Sequence, residues 1–422
     1  MAPPDPILSL TTEFQVDKHP HKINLGVGAY RDGHGKPWIL PSVRSAIELL
    51  HEEVLATADG SKEGINFEYV PILGTNSYRS TVKKFLFCQK GMDSSSKLVN
   101  DGRVLTMQGL SGTGSLRVIG EFLSNFHPNA SQLTIATPRP TWGNHVKILE
   151  KSGKGINVSG YTYYDPKTKG LNLKGMLEDL NKLNEGDAVL LHVCCHNPTG
   201  VDPTIDEWNK IVQVITQKKL IPILDMAYQG FGNGIVEDLK VIELFSKQVT
   251  NGEISNFFLS QSWAKNMGLY GERVGSFSVI CGDKIEAEKI ESQFKLIARP
   301  MYSSPPGNGA RVVELILNTP ELYEQWGKDV DVMALRLKDM RALLFDKLNS
   351  ENIRGPGNGA TGWEHLIEQN GMFCFTGLNE TQVDKLLEKS IYLTKNGRIS
   401  MAGVNKYNVE YLVQCIKEVI QE

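Results

Sequence analysis

Short apolar and β-branched runs alternate with longer stretches of helical spacing through the middle of this sequence. Val104–Met107 reads as a strand, and after a glycine-containing loop Leu116–Leu123 has the spacing of a helix. Ala188–Cys195 (AVLLHVCC) is the near-continuous apolar run of a buried strand, ended by His196-Asn197-Pro198-Thr199-Gly200. Asp206–Leu220 then has helical spacing and Ile221–Asp225 reads as the next strand, with Asn256–Ser260 and Val274–Cys281 as further strand candidates. Alternation of this kind predicts an α/β fold with a mainly parallel sheet between layers of helices.

The texture changes near Pro320. Glu321–Leu348 reads as one long helix, suited to connecting two domains. Beyond it the pattern predicts a strand at Gly371–Thr376, a helix at Gln382–Leu387 and a strand at Ile391–Thr394. In the last helix Val409, Leu412, Val413, Ile416, Val419 and Ile420 follow i, i+3, i+4 spacing. This is a smaller α+β unit, and Gly355–Gly362 reads as a loop within it. A length of 422 residues fits two packed domains better than one small core.

Composition narrows the partners. Hydrophobic residues make up 41% and charged residues 22%, with a formal net charge of −3, which argues against nucleic acid or an anionic membrane as the main partner. No stretch reaches the roughly 18 consecutive apolar residues of a membrane span. The six cysteines are scattered without a C-x-x-C, so neither a disulfide framework nor a metal site is expected. The opening MAPPDPILSLTTEF resembles neither a signal peptide nor an Arg-rich transit peptide. The expectation is a reduced, soluble, cytoplasmic protein, with the mitochondrial matrix as the alternative for a processed chain.

Three motifs carry candidate chemistry. Gly109-Leu-Ser111-Gly112-Thr113-Gly114 lies between a strand and a helix, where backbone amides and hydroxyls can cradle a phosphate; a plain tight turn is the alternative. It fails both the Walker A pattern and the dinucleotide fingerprint, because Ser115, Leu116 and Arg117 stand where their key residues belong. Ser262-Trp263-Ala264-Lys265, with Arg273 following, offers a lysine just past an apolar strand. It is either a solvated end or a desolvated amine of the kind that bonds an aldehyde. Asp225 falls at a strand's carboxyl end, where it either caps a helix or pairs with a ring N–H.

Longer blocks carry a resemblance. Asn24-Leu-Gly-Val-Gly28-Ala-Tyr30-Arg31, Glu68-Tyr69-Val-Pro-Ile-Leu-Gly74, Pro140-Thr-Trp142-Gly-Asn-His145 and His196-Asn197-Pro-Thr-Gly200 resemble blocks of the aspartate aminotransferase family, the class I pyridoxal-phosphate aminotransferases, in the family's order. So do Asp225-Met-Ala-Tyr228, Ser262-x-x-Lys265-Asn, Gly371-Met-Phe373 and Gly397-Arg398-Ile. The likeness runs nearly end to end and is strongest to the mitochondrial-type enzymes of eukaryotes.

The resemblance implies the fold type I architecture of pyridoxal-phosphate transferases. A large domain would span 46–325 and a small domain 1–45 with 326–422, joined by the long helix near 321–348. Lys265 would form the Schiff base with pyridoxal 5′-phosphate and move the substrate's Cα proton, and Asp225, braced by His145, would pair with the pyridine nitrogen. Asn197 and Tyr228 would bond the ring oxygen, and Trp142 would stack on the ring. The phosphate would sit on Ser111, Gly112, Thr113, Ser262 and Arg273, with Tyr69 reaching in from a partner subunit of a homodimer with shared active sites. Arg398, with Gly28 and Asn197, would hold the α-carboxylate, and the partner's Arg299 would take the distal carboxylate of a dicarboxylic amino or keto acid.

The expected reaction is transamination between L-aspartate and 2-oxoglutarate; aspartate racemisation and a weakly active or non-catalytic paralogue are the alternatives. Four features depart from the family pattern: Trp263 for phenylalanine or tyrosine, Ser304 for asparagine, an insertion at Ala56–Gly64, and a short arm before Pro3. They bear on rate, substrate preference and dimer strength. Arg103 and Arg117 read as solubilising, Trp208, Trp326 and Trp363 as core filler, and His192 as a satisfied histidine in a strand.

Overall fold

The computed structural model describes residues 6–26, 28–58, 60 and 64–421. Part of the insertion (Asp59 and Ser61–Glu63) and the arm before Pro3 lie outside the described residues.

The strands are β1 (Ile23–Asn24), β2 (Val104–Gly109), β3 (Thr134–Arg139), β4 (Asn157–Thr162), β5 (Ala188–His192), β6 (Ile221–Met226), β7 (Phe257–Ser262), β8 (Gly275–Ile280), β9 (Phe373–Phe375), β10 (Ile391–Tyr392) and β11 (Arg398–Ser400). Seven of them form one sheet in the order β2-β8-β7-β6-β5-β3-β4. Only β8 runs against the others, pairing antiparallel with β2 and β7. The mainly parallel sheet expected from the alternation is therefore present.

Side chains alternate faces along each strand, and two apolar cores follow from that period of two. Along β5, Ala188 and Leu190 join the core containing Met107, Ile119 and Phe294, while Val189 and Leu191 join the one that continues into the C-terminal elements. Helices cover both faces. The helix Ile205–Lys218 starts at a capping box, in which the Thr204 hydroxyl and the Glu207 carboxylate satisfy each other's backbone amides. Its apolar stripe then buries Trp208, Ile211 and Ile215.

Pro320 stands in the first turn of the long helix Pro320–Ser350, where the missing N–H costs no hydrogen bond. Trp326, Val330, Met333, Leu337, Leu344 and Leu348 form its buried stripe, packed on the helices Pro41–Ala58, Gly307–Asn318 and Val409–Gln421. Beyond it, β9 pairs antiparallel with β11, and β10 pairs in parallel with β1 from near the N-terminus.

Three local differences from the sequence pattern have physical causes. β5 stops at His192 rather than Cys195, because Asp202 takes the amides of Cys195 and His196 at 2.8 and 2.9 Å and pulls the chain out of the ladder. β3 and β4 escape the apolar pattern: β3 contains Pro138, and β4 is an edge strand with few buried residues. The helix after β2 begins at Ser111, since Gly112 and Gly114 form its first turn and not a preceding loop.

Candidate active site

Parallel strands deliver their carboxyl ends to one edge of the sheet, and the polar groups gather there. Near the end of β6, Asp225 stands beside His192 of β5 and Ser260 of β7. Lys265 follows the end of β7, and the helix starting at Ser111 follows β2. Together with Gly28 near the N-terminus, Phe373 of β9 and Arg398 of β11, they line a cavity of about 260 Å³.

The Asp225 carboxylate is buried and accepts a hydrogen bond from His145 Nε2 at 3.2 Å. Burial alone would raise its pKa; the bond from His145 and the nearby His145, His192 and Lys265 outweigh that and hold it below the usual carboxylate range. One proton arrangement satisfies the chain behind it. His145 Nδ1 accepts from the Thr141 hydroxyl at 2.8 Å, and that hydroxyl accepts from His192 Nε2 at 3.2 Å. Burial pushes His192 down to about 3, so its ring is neutral at physiological pH.

Lys265 is partly accessible by way of the cavity, and its amine lies 5.0 Å from the centroid of the Tyr228 ring. The surrounding protein desolvates the amine and lowers it to about 8; Asp225 opposes the shift and the Arg273 guanidinium adds to it. The amine therefore exchanges protons near neutrality, as a nucleophilic or proton-moving lysine requires.

Beneath the lysine, Ser111 and Ser262 hydroxyls bond each other at 2.8 Å. Ser111 adopts φ +58, and no side chain caps the helix it opens, so its first amides are free to donate. Gly275 closes this corner. A Cβ there would lie 2.4 Å from the Gln261 carbonyl and 2.8 Å from Ser111 Cα. Arg273 stands exposed at the rim, its Nη1 donating to the Tyr270 carbonyl at 3.0 Å.

Across the cavity Arg398 is buried, with its guanidinium 4.3 Å over the Phe373 ring. It donates to the Gly26 carbonyl at 3.1 Å and makes a long contact of 3.5 Å to Asn197 Oδ1. Its Nε has no partner, and no carboxylate among the described residues pairs with it. A buried cation left in this state calls for an anion.

A family model described as aminotransferase class I and II matches residues 20–416. The chain belongs to the class I and II aminotransferases. This aminotransferase is 44% identical over 99% of its length to the mitochondrial aspartate aminotransferase of Xenopus tropicalis, covering 92% of that relative. It is similar to the solved aspartate aminotransferase of the Saccharomyces cerevisiae cytoplasm, with 38% identity and a TM-score of 0.89 over 100% of this chain and 97% of that one. It is also similar to an aromatic-amino-acid aminotransferase of Burkholderia pseudomallei covalently bound to pyridoxal phosphate, with 37% identity and a TM-score of 0.90 over 100% and 98% of the two chains.

Of the residues singled out in the sequence, Gly28, Ser111, Gly112, Thr113, Trp142, Asn197, Asp225, Tyr228, Lys265, Arg273 and Arg398 all line the cavity, and Ser262 adjoins it through Ser111. Tyr69 and Arg299 do not. Tyr69 is 90% exposed in a separate groove with Ser304 and Arg311, and Arg299 is exposed and held by the Ser303 hydroxyl at 2.9 Å. His192, Ala227 and Phe373 line the aminotransferase cavity without having been assigned there. His192 is hydrogen-bonded as expected, but at the cavity wall. Arg103 is more than a solubilising residue, since its Nε donates to the Cys281 carbonyl at 2.9 Å. Trp208, Trp326 and Trp363 are buried core residues.

Proposed function

We propose that this aminotransferase exchanges the amino group between L-aspartate and 2-oxoglutarate, giving oxaloacetate and L-glutamate, with pyridoxal 5′-phosphate as cofactor. The observation that carries the reading is the convergence of a desolvated Lys265 amine and a buried Arg398 lacking a carboxylate on one cavity. The residues present fit the cofactor. The uncapped helix start with Ser111, Gly112 and Thr113, the Ser262 hydroxyl and Arg273 suit its phosphate. Asp225, buried and kept anionic, suits its ring N–H, while Asn197 and the Tyr228 hydroxyl suit its ring oxygen and Trp142 its face. Lys265 would hold its aldehyde.

When bound, pyridoxal phosphate supplies an electron sink for negative charge at the substrate's Cα. The chain's own residues do the rest. Asp225 keeps its negative charge because His145 donates to it. Lys265 Nζ moves the Cα proton, which its lowered pKa allows near neutral pH. Arg398 grips the α-carboxylate with its free Nε and neighbouring N–H, while Gly26, Asn197 and Phe373 keep the guanidinium plane fixed.

Arg299 and Tyr69, both exposed and away from this chain's cavity, support a homodimer in which each completes the partner's site. Arg299 would bind the distal carboxylate and so select dicarboxylic substrates. The division into a large domain (46–325) and a small domain (1–45 and 326–422) is part of the same reading. A mitochondrial relative and a cytoplasmic one support either compartment, and cell fractionation distinguishes them.

The test compares kcat/KM for L-aspartate, L-phenylalanine and L-alanine with 2-oxoglutarate as acceptor, and assays D-aspartate in parallel. A preference for aspartate supports the reading. Equal use of phenylalanine would favour an aromatic enzyme like the Burkholderia relative, and D-aspartate without keto acid would favour racemisation.

A further inference from the structure

β7 ends at Ser262 and β8 begins at Gly275, and these two residues stand opposite each other in the antiparallel ladder. Residues 263–274 join the strands, with Lys265 near the start of the connection and Arg273 near its end. Whatever closes the mouth of this connection sets the distance between the two cations.

Two bridges close it. The Trp263 backbone N–H donates to the Val274 carbonyl at 3.3 Å. The Trp263 indole N–H donates to the Tyr78 hydroxyl at 3.1 Å, and that hydroxyl donates to the Gly275 carbonyl at 2.8 Å. Trp263 and Tyr78 are fully buried, and burial keeps the Tyr78 hydroxyl protonated by raising its pKa. The Gly275 end is tightly packed, since Ser111 lies too close for any side chain there. The Trp326 indole N–H, on the long helix, donates to the carbonyl of Asn266, the residue after Lys265, at 2.8 Å. The Trp263 and Trp326 rings meet edge-on at 6.2 Å, and both pack against Phe85 at 5.6 Å.

Packing alone would need the ring of Trp263, not its N–H. A buried indole N–H without an acceptor is costly, and here it is paired with a hydroxyl whose own proton goes to the far end of the same connection. We infer that Trp263 is a positioning residue: acting through Tyr78, its indole N–H fixes Lys265 relative to Arg273, and Trp326 ties that segment to the long helix. The inference rests on the reading that Lys265 holds the cofactor's aldehyde and Arg273 its phosphate.

The test uses the full chain loaded with pyridoxal phosphate. Trp263→Phe keeps an aromatic ring and removes the donor; Tyr78→Phe removes the bridging hydroxyl. Two quantities are read: the dissociation constant for pyridoxal phosphate by equilibrium dialysis, and the pH midpoint of the loaded protein's visible absorbance. Each variant is expected to weaken cofactor binding roughly three- to tenfold and to shift the midpoint. The double variant is expected to add little to either single one, because both break the same bridge. Wild-type values of both quantities in Trp263→Phe and Tyr78→Phe would overturn the inference, leaving Trp263 a packing residue. Should Tyr78→Phe fail to fold, Trp263→Phe decides alone, since it leaves the bond from Tyr78 to Gly275 intact. Lys265→Ala separates the two claims. A pH-dependent visible band surviving in that variant would remove the underlying reading; its loss, with both other variants unchanged, would remove only the positioning claim.

Discussion

Lys265 and Arg398 are opposite solutions to placing a cation inside protein. Burial lowers the lysine to about 8, so it can shed its proton, whereas the arginine, though also lowered by burial, stays charged and lacks an anion. In cofactor-free protein, labelling of Lys265 by an amine-directed reagent should therefore rise with pH around a midpoint of about 8 rather than 10.5. Asp225→Asn should lower that midpoint further, because the carboxylate is the group that raises it. A midpoint unchanged in the variant would disconnect the two residues. Arg398→Lys keeps the charge but loses the fork, and steady-state kinetics should give KM values for both substrates raised about 10- to 100-fold. Most of these residues were legible in the sequence because each sits in a block that resembles the aspartate aminotransferase family. The cavity-lining places of His192 and Phe373 were not: His192 read only as a satisfied histidine in a strand, and the value of Phe373 is its face under Arg398, which spacing does not encode.

At the scale of elements, the segment from Val193 to Asp202 decides where Asn197 stands. The Asp202 carboxylate holds two amides that would otherwise be buried without partners. Asp202→Ala should cost about 1–3 kcal/mol in denaturant unfolding and raise KM through displacement of Asn197. Unchanged stability would mean water replaces the carboxylate. The pattern of apolar positions found the central strands, the long helix and the last helix, which bury continuous runs or clear stripes. It missed β3 and β4, where proline and an exposed edge break the alternation, and it began the helix at Ser111 late because glycines mask its first turn.

For the whole molecule, the site proposed here needs two chains. Arg299 and Tyr69 came from motifs and not from any apolar pattern, and a single chain leaves both exposed. If sites are shared, Arg299→Ala and Lys265→Ala proteins should each be nearly inactive, yet refolding them as an equal mixture should restore about a quarter of wild-type activity, since each hybrid dimer holds one intact site. No recovery would argue against sharing. The central claim is that this chain, by means of Lys265, exchanges an amino group between two dicarboxylic acids, and one measurement meets it directly. The loaded protein is given 15N-labelled L-aspartate and 2-oxoglutarate, and the label is followed into glutamate in wild type and in Lys265→Ala. The account predicts equimolar labelled glutamate and oxaloacetate from the wild type and almost none from the variant. Label transfer at equal rates in both, or none in the wild type with cofactor bound, would contradict it.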